Sequence, residues 1–399
     1  MRCQFGLMTP HLALADVPTP AAVLDLDVLE RNVASMAAKA RALGVSLRPH
    51  AKTHKCVEIA LLQRDGGATG LTVATLPEAR AFADAGFDDI TWAVPVVPGR
   101  LGEAVELARR VTFRVLAESE AAAAALEGAA REAGVRLHVW LEVDSGQHRT
   151  GVDPAAPHAL VLARRFAGSP DLIFDGILTH AGHSYSAPSR DELERIAAAE
   201  RDVMVAFARA LEADGVKVPG VSIGSTPTMY AVRSLEGVTE IRPGNYAFND
   251  FVQAANGVCG IEDCALSVLA TVISHQPAAG HAVVDAGALA LSKDLGPGDP
   301  ARQRGYGPLL RGVVGRALDA GPARTTGRGV DPRLRVRSVT QEHGVVAGDD
   351  PSDVEGCMAV GEKVRILANH SCLAAALFDE YQVVRGEEVV DRWRIRRGR

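Results

Sequence analysis

From about Ala21 to Ser225, short continuous apolar runs alternate with segments whose apolar positions recur at helical spacing. The apolar runs are Ala22–Leu26, Val45–Pro49, Leu71–Ala74, Ile90–Val94, Thr112–Leu116, Leu137–Val143, Phe174–Thr179 and Val221–Ile223. Between them lie helical patterns at Asp27–Leu43, Leu76–Ala85, Gly102–Arg110, Ser119–Ala133, Pro157–Ala167 and Arg190–Ala213. Strands apolar on both faces and separated by helices predict a parallel sheet covered by helices. A count near eight predicts a closed (β/α)8 barrel, over residues 26–264, in place of an open doubly wound sheet. After Cys264 the helical period is lost. β-type runs follow at Ala265–Ile273, His281–Asp285, Leu334–Thr340, Lys363–Leu367 and Tyr381–Val384, punctuated by Gly and Pro. These predict a second, mainly β domain over residues 265–399. The weakly patterned stretch Leu309–Pro332 reads as an inserted surface loop. The fold class is therefore α/β, with a β domain appended to the barrel.

With 399 residues, 47% of them apolar and 23% charged, the chain can bury a sizeable core, which excludes a disordered one. A net charge of −6 gives no electrostatic footprint for nucleic acid. No apolar run reaches the about 18 residues a membrane helix needs, so no membrane association is expected. The first twenty residues lack the apolar stretch and small-residue site of a secretory signal. Six cysteines are scattered without paired spacing, which fits a reducing, cytoplasmic compartment.

The candidate chemistry begins at Arg48-Pro-His-Ala-Lys-Thr-His-Lys55, on the end of a predicted barrel strand. Strand alternation would put Arg48, His50, Lys52 and His54 on one face. Crowded cations depress a lysine pKa, which frees its amine to attack an aldehyde, and they attract an anionic cofactor. The plain alternative is a basic strand end facing solvent. Two glycine turns, one with Gly224, Ser225 and Thr226 and one with Gly244 and Asn245, offer backbone N–H groups to a phosphate. His180, His183 and Tyr185 follow an apolar strand, at the barrel end where catalytic groups gather. There they offer a general base or a stacking ring. In His370-Ser-Cys372, a strand would place imidazole and thiol on one face, a donor pair that suits zinc. Two ligands leave the shell open, as catalysis requires. The plain alternative is a buried Cys beside a polar His.

These segments, with Thr19-Pro-Ala-Ala-Val-Leu-Asp25, Gly146-Gln-His-Arg-Thr-Gly151 and Glu342-His-Gly344, resemble the D-serine dehydratase / D-threonine aldolase family, built on the alanine-racemase-like fold. The resemblance runs from about Thr19 to Arg392. It implies pyridoxal 5'-phosphate, with Lys52 and not Lys55 as the Schiff-base lysine. It places Arg149 near the cofactor ring, Tyr185 against or beside it, His50 in the cofactor-binding set, and the Gly224–Thr226 and Gly244–Asn245 turns on the phosphate. It implies His370 and Cys372 as ligands of a divalent metal, zinc favoured by the thiolate, with manganese and magnesium as alternatives. It also implies a homodimer with its active site between barrel and β domain, and residues 1–25 joining the β domain. The substrate would be a small D-β-hydroxy amino acid. A His-X-Cys pair tilts the reading to a dehydratase of D-serine, D-threonine or 3-hydroxyaspartate, since the aldolases commonly carry His-X-Asp. The alternative is D-threonine aldolase, with His180 as base on the hydroxyl. An amino-acid racemase and a non-catalytic pyridoxal-phosphate-binding protein complete the alternatives.

Overall fold

The computed structural model describes residues 12–310, 314, 329–355 and 358–398. The chain divides into two compact units. One comprises Asn32–Ala247, Asn256–Val258 and Arg396–Arg399; the other comprises Met1–Arg31, Phe248–Ala255 and Cys259–Ile395.

The first unit is the barrel. Ser46–Leu47, Glu240–Ile241, Val221–Ile223, Leu172–Leu178, Leu137–Glu142, Thr112–Ala117, Asp89–Pro95 and Leu71–Val73 lie side by side in that order, all parallel. A parallel bridge from His50 to Thr72 joins the two ends and closes the ring. The strands supply buried Val73, Val115, Val139, Ile177, Ile223 and Ile241 to a continuous apolar core, and helices pack Phe82, Leu126, Phe166 and Leu211 against it. Helix starts are set locally. The hydroxyls of Thr75, Ser119 and Ser189 accept the N–H of Glu78, Ala122 and Glu192, satisfying donors that the first turn leaves open. Gly134, left-handed at φ 65°, ends the Glu120–Ala133 helix.

Eight strands were expected and eight form the barrel, but their membership differs. Ala21–Asp25 pairs in the other unit, with Leu266–Gln276 and Glu380–Arg385. Its place is taken by Glu240–Ile241, which at two residues is too short to show any periodicity. The first helix pattern, by contrast, is observed at Leu26–Ala42, and Arg190–Ala213 matches its expected span.

In the second unit, Leu266–Gln276, His281–Val284, Gly344–Ala347, Val330–Val339, Pro308–Leu310 and Lys363–Leu367 form a closed antiparallel ring, because the last strand also pairs with the first. Val268, Val272, Val284, Val336, Val346 and Ile366 fill it. Outward from Leu266–Gln276 the sheet continues through Ala21–Asp25, Glu380–Arg385, Glu388–Arg394 and Leu12–Ala13. Of the expected insert, residues 311–313 and 315–328 lie outside the described residues. Its two ends belong to strands that pair with each other, Leu310 opposite Val330. Among the described residues no helix is long and apolar enough to cross a membrane.

Candidate active site

The basic segment does not continue as a strand. After Ser46–Leu47 only His50 keeps a bridge, and Ala51–Thr53 turns into a short 3-10 helix. The four basic side chains therefore do not share one strand face, and their environments differ. Arg48 is buried with its Nε donating to Glu240 (2.6 Å) and an Nη to Asp89 (2.5 Å). Burial opposes its charge, and the two carboxylates outweigh it and raise its pKa. His54 is wholly buried, accepts the Cys56 N–H (3.1 Å) and meets Phe82 edge-on at 6.4 Å. Burial pushes its pKa down to about 3, which makes it a neutral core histidine. Lys55, held left-handed at φ 50°, pairs with fully buried Glu78, so its ammonium is committed.

His50 is also buried, and His180 is half-buried. Burial comes first among the causes that hold both rings well below the ordinary histidine pKa. The positive charge of Lys52 follows, then that of Arg242; Arg149 acts further on His180. Both rings are thus uncharged at neutral pH, with cations acting on each. His180 follows the Leu172–Leu178 strand, with Nδ1 3.4 Å from the Gly224 carbonyl. When Nδ1 donates, Nε2 keeps a lone pair to accept a proton. Arg242 is buried, its Nε donating to Ser222 Oγ (2.8 Å) and an Nη to the Thr179 carbonyl. Arg242 opens the Arg242-Pro-Gly-Asn-Tyr246 segment that carries the second glycine turn, but no site role was expected of it.

Arg149 is exposed, on a loop in which Asp144 accepts the N–H groups of Gly146 (2.9 Å) and His148 (3.0 Å). Tyr185 is half-buried, and its carbonyl accepts Asn256 Nδ2 (2.7 Å). His183 is half-buried and is pushed down chiefly by burial.

The first glycine turn is more occupied than expected. Gly224 N–H donates to Glu200 (3.0 Å) and Ser225 N–H to Thr228 Oγ1 (3.1 Å), within a capping box that opens the Thr226–Ala231 helix. Two of its three expected phosphate donors are therefore engaged within the protein. Thr226 Oγ1 accepts the Tyr246 N–H (3.0 Å) and ties the two turns together. In the second turn, a Cβ on Gly244 would fall 2.9 Å from both the Cβ and the carbonyl oxygen of His50, so only glycine allows that approach. Asn245 is buried beside it.

The His370-Ser-Cys372 segment also departs from a strand. His370 is extended, whereas Cys372 sits in the first turn of the Ser371–Ala375 helix. The two side chains nonetheless meet. His370 bonds Cys372, and its Nδ1 lies 3.2 Å from Asp294 Oδ2. Burial works against a charged ring, and Asp294 and Cys372 outweigh it, holding His370 up to about 11. Between the two, Ser371 donates its N–H (3.0 Å) and hydroxyl (3.3 Å) to Asp250. With Nδ1 engaged by Asp294, Nε2 is the nitrogen that could serve a metal, once the ring gives up its proton. Neither Asp294 nor Asp250 was anticipated, because they lie 76 and 120 residues away in sequence. Among the described residues no set of three or more His, Cys, Asp or Glu is arranged to hold a metal.

Residues 24–250 match the family described as alanine racemase, N-terminal domain, and residues 265–384 match the putative serine dehydratase domain. Over 384 residues the chain is 41% identical to D-threo-3-hydroxyaspartate dehydratase of Delftia sp. (strain HT23), covering 95% of this chain and 97% of that protein. The chain belongs to the D-serine dehydratase / D-threonine aldolase family. D-serine dehydratase of Dictyostelium discoideum is 32% identical, with 93% and 94% of the two chains covered. D-threonine aldolase of Arthrobacter sp. is 31% identical, with 97% and 94% covered. Among solved structures, a cysteine-to-alanine variant of D-threo-3-hydroxyaspartate dehydratase in the metal-free form superposes with a TM-score of 0.87. That structure is 41% identical and covers 96% of this chain and 98% of its own. The fold is accordingly alanine-racemase-like.

Proposed function

We propose that this family member is a pyridoxal-phosphate- and metal-dependent lyase that dehydrates a D-β-hydroxy amino acid to a 2-oxo acid and ammonia. The observation that carries the reading is the barrel cluster, in which Lys52 and Arg242 act on two uncharged histidines, buried His50 and half-buried His180, beside a glycine turn. Cationic groups acting on both rings fit an anionic cofactor. The Gly224–Thr226 and Gly244–Asn245 turns would take its phosphate, with the already engaged Gly224 and Ser225 amides lending shape more than donors. Tyr185 and Arg149 would line its ring, and His50 would flank Lys52. Pyridoxal phosphate, when bound, supplies an electron sink for charge developing at the substrate Cα. Lys52 would then remove the Cα proton. His180, neutral and with Nε2 open, would accept or return a proton at the substrate hydroxyl.

The second cluster fits a metal. His370 is oriented by Asp294, Cys372 offers a soft thiolate, and the remaining positions are open to water or a hydroxyl. A divalent metal supplies polarisation of the β-hydroxyl for departure. The thiolate favours zinc over manganese or magnesium. The greater identity to the dehydratase than to the aldolase supports dehydration, as does Cys372. The aldolase reading keeps its support in the 31% identity to D-threonine aldolase and in His180 as base. A homodimer belongs to the same proposal and is checked by light scattering.

The test is a product assay on D-threo-3-hydroxyaspartate, D-serine and D-threonine, with and without chelator. A 2-oxo acid and ammonia, lost on chelation, are expected. Glycine and an aldehyde would replace dehydration by retro-aldol cleavage. Full turnover by Lys52→Ala would overturn both.

A further inference from the structure

Between the Leu172–Leu178 and Val221–Ile223 strands, ladder pairing is brief: Ile177 opposite Val221 and Leu178 opposite Ser222. One further backbone bond, Thr179 N–H to the Ser222 carbonyl (3.0 Å), ends it. The chemistry-bearing segments, His180 onward and Gly224 onward, lie just past that point, so side chains must set their register. One buried carboxylate meets both. Glu200, midway along the Arg190–Ala213 helix and 1% exposed, accepts the Ala181 N–H (3.1 Å) and the Gly224 N–H (3.0 Å) on the same oxygen, Oε1. Around it the same two segments are joined by His180 Nδ1 to the Gly224 carbonyl (3.4 Å) and by Ser184 Oγ to Ser225 Oγ (2.8 Å).

A carboxylate behind a turn meant for a phosphate is electrostatically unfavourable unless it has structural work there. Burial, the largest influence, raises the Glu200 pKa, while the Gly224 and Ala181 N–H groups, Thr228 and Arg242 oppose that rise. Its position in a helix interior, wholly buried, has no packing rationale, since an alanine or leucine would serve there at lower desolvation cost.

We propose that Glu200 is a positioning residue whose Oε1 latches the His180 segment to the Gly224 turn and thereby sets the affinity for pyridoxal phosphate. The inference rests on the functional reading above, which puts the cofactor phosphate at that turn. Removing the carboxyl leaves two buried N–H groups without an acceptor and frees the two segments from one another. An amide retains Oε1 and with it the latch.

The experiment measures the Kd of pyridoxal phosphate for the full-length apoprotein by fluorescence quenching, alongside thermal midpoints of the same samples. Glu200→Ala is expected to weaken binding by about tenfold or more, the scale of losing buried hydrogen-bond acceptors. Glu200→Gln is expected to stay within about threefold of wild type on the same scale. Met204→Ala, one turn along the same helix and fully buried, controls for general loosening: its midpoint should fall while its Kd stays at the wild-type value. Wild-type affinity in Glu200→Ala overturns the inference. So does Glu200→Gln behaving like Glu200→Ala, or Met204→Ala weakening binding equally. A wild type that takes up no cofactor overturns the functional reading itself, and this inference with it.

Discussion

Several side chains in this protein hold states their residue types rarely adopt. Among the described residues, four other than glycine have positive φ: Lys55 (φ 50°), His148 (φ 56°), Asn249 (φ 49°) and Ser292 (φ 71°). Each stands within three residues of a group with a place in a candidate site, namely Lys52, Arg149, Asp250 and Asp294. Such conformers cost about 1–3 kcal/mol apiece and persist where surrounding contacts over-determine them. His54 shows the other kind of cost. Its pKa is about 3 in the fold, against 6.5 for the free side chain. Because the folded value is depressed, the unfolded chain binds the extra proton first. The stability is complete above about pH 6.5 and is lost progressively as pH falls toward 3. Denaturation midpoints measured from pH 7 down to 4 should therefore decline in the wild type and decline less steeply in His54→Gln. Equal slopes would show that His54 carries no such linkage.

Among the elements, the turns at strand ends do most to build the sites, and they were only half legible. The glycine turns and the His-X-Cys spacing stand out in sequence because their residue types are unusual together. The sequence could not show that Gly224 and Ser225 already spend their N–H groups, since their acceptors, Glu200 and Thr228, are fixed by helix placement. The Ser292–Gly296 turn was equally hidden. There Asp294 accepts the Gly296 N–H (2.7 Å) on one oxygen and faces His370 with the other, while its carbonyl takes Asn369 Nδ2 (2.8 Å). A turn so constrained fixes which imidazole nitrogen faces Asp294. Asp294→Ala should lower metal affinity by roughly 10- to 100-fold in chelator competition. Cofactor uptake should stay unchanged in the same protein; a metal affinity equal to wild type would remove Asp294 from this role.

For the whole molecule, the two candidate clusters belong to different compact units, the residues proposed for the cofactor to the barrel and the pair proposed for a metal to the β unit. Chelation is therefore expected to abolish turnover while leaving the cofactor absorbance in place, and added zinc should restore activity. Loss of cofactor together with metal would show that the two groups depend on each other. Local pattern by itself determined the βα alternation, the β texture after Cys264 and most helix spans, because periodicity and caps are properties of neighbouring residues. It also marked Lys52, His180 and His370-Ser-Cys372 as unusual. Tertiary structure alone decided that Glu240–Ile241 completes the barrel, since a two-residue strand is stabilised by its neighbours and carries no signal of its own. It alone separated the basic residues, giving Arg48 to Glu240 and Asp89, Lys55 to Glu78 and His54 to the core. Burial and charge pairing depend on what lies across space, and residues such as Glu200 and Asp294 acquire their partners only when distant segments meet.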